Sequence, residues 1–130
     1  MREAALIFDR EGRTIATHTP ANRSAGALPN SAVLWTLLWD HREDLGGIAH
    51  SHPGRGAPEP SWTDRTTFAA IEAGLATRLH WWIATEDQIA CFVWAGGVRY
   101  AYRRTEVLCP IDVALLRRLS EYELEELCLT

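Results

Sequence analysis

The stretch that most constrains this chain is His50-Ser51-His52-Pro53, followed across a Pro- and Gly-containing loop by Pro60-Ser61-Trp62-Thr63-Asp64. Residues 48–52 read as a short strand. Side chains alternate along a strand, so His50 and His52 share a face and their imidazoles can converge on one point. Ser61 opens a helix that runs to about Ala73, and Ser61-x-x-Asp64 is a helix-capping pattern. A cap fixes the start of the helix and so fixes where Asp64 points. Each half alone has a plain explanation: an HxH pair can be two half-exposed histidines, and Ser-x-x-Asp can be only a cap. Joined in order across one short loop, they offer two imidazole nitrogens and one carboxylate oxygen. That set suits Zn²⁺ and leaves a fourth position open for water, which separates a catalytic zinc from a structural one.

The rest of the chain supplies a mixed α and β frame. Ala4–Phe8 is an apolar run, Asp9-Arg10-Glu11-Gly12 a turn signal, and Thr14–Thr19 is rich in β-branched residues, which together predict a hairpin. A loop of small and polar residues runs from Pro20 to Pro29. Asn30 can cap a helix over about Ser31–Arg42, with Val33, Leu34, Leu37 and Leu38 at helical spacing and Trp35 and Trp39 as a second i, i+4 pair. A helix this apolar is expected to pack on a sheet and on something else besides. Gly46-Gly47 reads as its end. Leu79–Ala84 and Ile89–Trp94 read as strands joined by a turn at Thr85–Gln88. Gly96-Gly97 turns into a further strand over Val98–Tyr102, and Ile111–Leu127 has helical periodicity with an acidic end. The expected fold class is α/β, one mixed sheet flanked by helices.

Composition narrows the function classes. The 130 residues suit one domain, and with 47% apolar and 23% charged residues the chain has the balance of a soluble globular protein. A net charge of −4 argues against nucleic acid or an anionic membrane surface as the main partner. No apolar run approaches the roughly 18 residues of a membrane span, and the N-terminus does not resemble a signal peptide, so a cytoplasmic location is expected. Cys91, Cys109 and Cys128 are scattered, form no CxxC pair and read as buried thiols. His18 and His41 lack ligand-like neighbours in the sequence, His80 precedes Trp81-Trp82 on an expected strand and reads as structural, and the six tryptophans read mostly as core. All thirteen basic residues are arginine, so the chain offers no lysine amine for isopeptide attachment.

With these residues in hand, the sequence resembles the JAMM (MPN-plus) zinc metallopeptidases, whose motif is a glutamate, then H-[ST]-H-P, then S-x-x-D. The resemblance runs from Glu3 to about Trp94. It implies a single MPN/JAB domain of cytidine-deaminase-like fold spanning residues 1–130, with an additional C-terminal helical segment at about 111–128. It implies one Zn²⁺ per chain on His50, His52 and Asp64, with Ser61 supporting the tetrahedral intermediate. The family's proton-handling glutamate opens an apolar strand well ahead of the histidines. Glu3, before Ala4-Ala5-Leu6-Ile7-Phe8, matches that description better than Glu11 in a turn or Glu43 at a helix end. The implied activity is hydrolysis of an amide or isopeptide bond at the Gly-Gly tail of a ubiquitin-like or sulfur-carrier protein. Pro53–Pro60 and Trp62 are the expected walls of the groove for that tail, and a homodimer is compatible with the reading. Two other functions stay open: a catalytically silent MPN-type scaffold, and a zinc hydrolase of small peptides. Two departures stand out. The gap from His52 to Ser61 is one residue longer than the family's, and the helix expected ahead of the glutamate strand is missing, so the C-terminal helix is the candidate to cover that surface.

Overall fold

The structure, a computed structural model, describes residues 1–122. The strands are β1 (Ala5–Asp9), β2 (Thr14–His18), β3 (Leu45–Ser51), β4 (His80–Ala84), β5 (Ile89–Trp94) and β6 (Tyr102–Thr105). The helices are α1 (Ala32–Asp40), α2 (Trp62–Leu75) and α3 (Val113–Leu119). The six strands form one sheet in the order β2-β1-β3-β4-β5-β6. β3 and β4 run parallel, joined by the α2 crossover, and every other neighbouring pair is antiparallel. The sheet is therefore mixed, as expected.

Period-two alternation assigns the two faces. Ala5, Ile7, Ile48, Trp81, Ile83 and Phe92 pack under Leu34 and Leu38 of α1 and Phe68, Ile71 and Leu75 of α2. Leu6, Phe8, Ala49, Trp82 and Cys91 turn the other way, onto Ile111 and Leu116 beside and within α3. His50 and His52 share the parity of Ile48 and face α2, while Ser51 faces α3. Glu72, 3% exposed, locks α2 to the sheet. Its carboxylate accepts hydrogen bonds from the Leu79 N–H at 2.9 Å and the Trp81 Nε1 at 3.1 Å, and from the Tyr102 hydroxyl. These bonds leave α2, and with it Asp64, little freedom to slide.

Several expectations are corrected. Ser31, not Asn30, caps α1, its Oγ accepting the Leu34 N–H at 3.0 Å. Gly46 and Gly47 do not end that helix but lie inside β3, where a Cβ would run into the Asp9 and His80 carbonyls. Glycine there serves close backbone approach rather than a turn. The last strand begins at Tyr102 rather than Val98. α2 runs on past Ala73 to Leu75 and is capped by Ala76 in the left-handed region, φ 54. The outer side of α1 is uncovered among the described residues: Val33, Trp35 and Trp39 are exposed, Trp62 likewise, and only Trp81 and Trp82 are fully buried. Cys91 is buried, its thiol pushed up to about 12 by burial, but Cys109 is exposed. The expected helical segment over Ile111–Leu127 starts at Val113 and is interrupted within the described residues: Ser120 closes α3, Glu121 takes φ 63, and Tyr122 is helical again. Residues 123–127 of that expectation, and Cys128, lie outside the described residues.

Candidate metal centre

Strand geometry and a helix cap build the cluster. His50 closes β3 together with Ser51, and its backbone is paired with Ala5 on one side and Ile83 on the other. His52 is one residue past the strand, its N–H held by the Ala84 carbonyl at 2.8 Å. Asp64 is the third residue of α2, whose start is a complete capping box. The Ser61 Oγ accepts the Asp64 N–H at 3.0 Å, and Asp64 Oδ2 accepts the Ser61 N–H at 2.9 Å.

The loop between the two halves of the motif turns at Gly54 and Gly56, with φ 88 and 97, a region that favours glycine. It is fastened to the β4–β5 turn by the Gly56 N–H on Asp87 Oδ1 at 2.8 Å and the Thr85 hydroxyl on the Gly56 carbonyl at 2.7 Å.

His50, His52 and Asp64 each present one ligand atom, all within 4.8 Å of one another. The His50 and His52 Nε2 atoms are 3.1 Å apart, His52 Nε2 lies 2.9 Å from Asp64 Oδ2, and His50 Nε2 lies 3.2 Å from Asp64 Oδ1. A tetrahedral zinc with bonds of about 2.0–2.1 Å sets its ligands about 3.3 Å apart. The triangle is thus within a few tenths of an ångström of the size a zinc ion needs, and the donor set fits the metal.

Electrostatics agree with a cation site. Burial alone would raise the Asp64 carboxyl, but hydrogen bonds with His50, His52 and the Ser61 N–H outweigh it and hold the pKa far below the usual carboxylate range. Burial alone would lower His52, yet the bond to Asp64 and the charges of Asp64 and Glu3 raise it. Burial raises Glu3, opposed by the two imidazoles and reinforced by Asp64.

Around the cluster lies a cavity of about 640 Å³. Glu3, His50, His52, Ser61 and Asp64 all line it, so the sequence-predicted residues are brought together apart from Trp62. Trp62 is 67% exposed and meets Tyr100 edge-on at 5.1 Å, outside the cavity lining. Of the loop Pro53–Pro60 only Pro53 lines the cavity; its walls are the 25–30 loop, α2 and Leu34. Sequence reasoning missed that loop and His18. His18 pairs with Ala5 across β1 and β2, so both point to the cavity face, and His18 Nε2 meets the Pro29 carbonyl at 2.6 Å. The pairing of a predicted hairpin was the available signal. His80 is exposed at the start of β4.

A mixed sheet with helices on both faces, carrying a His-His-Asp cluster in the lining of a cavity, defines an α/β domain whose clustered side chains could hold a metal ion. The sequence matches the family Prok-JAB, prokaryotic homologs of the JAB domain, over residues 4–96, and the chain belongs to that family. The matched stretch includes His50, His52, Asp64 and Ser61 and starts one residue after Glu3. No curated protein matches the chain. Among the described residues no helix is long and apolar enough to cross a membrane.

Proposed function

We propose that the protein is a JAMM-type zinc metallopeptidase that hydrolyses an amide or isopeptide bond after the C-terminal Gly-Gly of a ubiquitin-like or sulfur-carrier protein. The observation that carries the reading is the near-complete ligand triangle of His50, His52 and Asp64, with Glu3 lining the same cavity. Zinc bound there would act as a Lewis acid, bringing water close to its working ionisation at neutral pH and polarising the scissile carbonyl. Glu3 accepts the proton of the attacking water and passes it to the leaving amine; its raised pKa suits both steps. Ser61 keeps its oxygen on the Asp64 N–H, so its own hydrogen is free to donate to the developing oxyanion. The substrate class rests on family resemblance, together with the physical point that an extended tail of glycines can thread beside the metal where side chains would clash. Trp62, exposed next to Ser61, is the residue assigned to meet the tail outside the cavity.

A second reading, a zinc hydrolase of small peptides, is favoured by the room and apolar character of the cavity wall at Leu28, Leu34, Phe68 and Ile71. One experiment separates the two. The zinc-loaded protein is incubated with a ubiquitin-like protein carrying a short C-terminal extension, in native form and with both glycines changed to alanine. Chelator-sensitive cleavage of the native form alone is the expected result. Equal cleavage of the two forms favours the peptide hydrolase, and cleavage that survives the chelator overturns both readings.

A further inference from the structure

Glu3 lies ahead of β1, which begins at Ala5, so no sheet ladder holds the residue on which the proposed chemistry depends. The segment Arg23-Ser24 holds it instead, braced in turn by the end of α3. The Glu3 N–H donates to the Ser24 carbonyl at 2.8 Å. Arg23 Nη1 donates to the Glu3 carbonyl at 3.1 Å and to the Leu119 carbonyl, at the end of α3, at 2.8 Å. Arg23 Nη2 lies 3.8 Å from Glu121 Oε1, and the Arg23 side chain is only 7% exposed. The same Glu121 carboxylate takes Arg2 Nε at 3.1 Å and Nη2 at 3.0 Å, while the Arg2 N–H donates to the Ser120 carbonyl at 2.9 Å. Beyond them, the Ser120 hydroxyl donates to Ser51 Oγ at 2.7 Å, between the two histidines, and the Tyr122 hydroxyl donates to the His52 carbonyl. Residues 119–122 lie outside the stretch that matches the family, yet they touch the backbone on both sides of the metal cluster.

We propose that Arg23 is a positioning residue: its guanidinium ties the backbone of Glu3 to the end of α3, and so aims the Glu3 carboxylate at the metal cluster. The role of Glu3 in catalysis rests on the function proposed above; the tie itself does not. A guanidinium is the group for this task. Its rigid fork of N–H donors spans two carbonyls and a carboxylate at once, whereas an ammonium is a point charge that cannot hold that geometry. A buried cation is tolerated when it is paired and hydrogen-bonded, and Glu121 with the two carbonyls meets that condition. Misplacing a catalytic group by about 1 Å can cost about a hundredfold in rate.

The test uses the zinc-loaded full chain as wild type, Arg23→Ala, Glu3→Gln and the double variant, with the extended ubiquitin-like protein as the activity probe. Hydrogen exchange is read on the N-terminal peptide, and zinc content by elemental analysis. Arg23→Ala is expected to keep its zinc, to exchange the Glu3 and Ala4 amides about tenfold faster or more, and to lower kcat about ten- to a hundredfold at nearly unchanged KM. In the Glu3→Gln background the same change should cost nothing further, because the group being aimed is already gone. Wild-type exchange at Glu3, or the same rate penalty in both backgrounds, overturns the proposal. Should Arg23→Ala not fold, Arg23→Lys is read in its place. It keeps a cation beside Glu121 but not the fork, so faster exchange at Glu3 supports the tie and wild-type exchange with wild-type turnover refutes it. Wild-type turnover by Glu3→Gln refutes the base assignment alone, and the exchange measurement still decides whether Arg23 holds Glu3.

Discussion

Replacing Ser61 with alanine separates two jobs that one hydroxyl performs. As a cap, Ser61 Oγ accepts the Asp64 N–H at 3.0 Å. Losing a serine cap costs about 1 kcal/mol, which for a domain of this size lowers Tm by about 4 °C. The reciprocal half of the capping box survives, because it runs from the Ser61 backbone N–H to Asp64 Oδ2 at 2.9 Å. Asp64 therefore stays aimed at the histidines, and zinc is expected to stay near wild-type occupancy. As a donor to the oxyanion, the same hydroxyl is worth about 10²–10³ in kcat, or about 3–4 kcal/mol of transition-state stabilisation. The kinetic loss should thus be about three times the stability loss when both are written as free energies. Calorimetry on the zinc-loaded variant reads the first, turnover of the extended substrate the second, and elemental analysis the metal. A Tm drop of about 4 °C with kcat reduced less than about threefold would show that Ser61 is a cap and nothing more. Loss of the zinc would show that the orientation of Asp64 depends on the side-chain cap, contrary to the argument from the surviving bond.

Two further predictions follow from the cluster. Glu3→Gln should keep its zinc and lose about a hundredfold or more in kcat, since the amide fills the space but accepts no proton; wild-type turnover would assign the base elsewhere. Zinc affinity should fall on acidification from above the ordinary imidazole value of about 6.5, because Asp64 raises the His52 pKa and the proton competes for the ligand nitrogen. The sign reverses for the metal-free fold. A raised folded-state pKa means that the His52 contribution to stability is fully present below about pH 6.5 and lost as pH rises through the folded value. Affinity that stays flat from about pH 7.5 to 5.5, measured by competition with a chelator, would contradict the assignment.

Much of the site was legible because its logic is local. Alternation along β3 puts His50 and His52 on one face whatever surrounds them, and the capping box ties Asp64 to Ser61 within a single turn. The apolar runs of β1, β4 and β5 declare themselves for the same reason. What the sequence hid depends on distant partners. Gly46-Gly47 has the look of a helix stop, and only the neighbouring carbonyls of Asp9 and His80 show why glycine is needed inside a strand. The loop after β2 carries no periodicity, so nothing in it announced that residues 25–30 wall the cavity or that Arg23 reaches Leu119, 96 residues away. The exposed tryptophans of α1 read as core because helical spacing marks an apolar face without saying whether anything covers it.

Zinc content tests the central claim most directly. Purified wild-type protein and His52→Ala, each loaded with excess zinc and desalted, are analysed for metal per chain. About one zinc per wild-type chain, and loss of most of it in His52→Ala, is the result the ligand triangle predicts, because two remaining ligands do not fill a zinc site. A wild-type chain that holds no zinc, or a His52→Ala variant that holds as much as the wild type, would contradict the account.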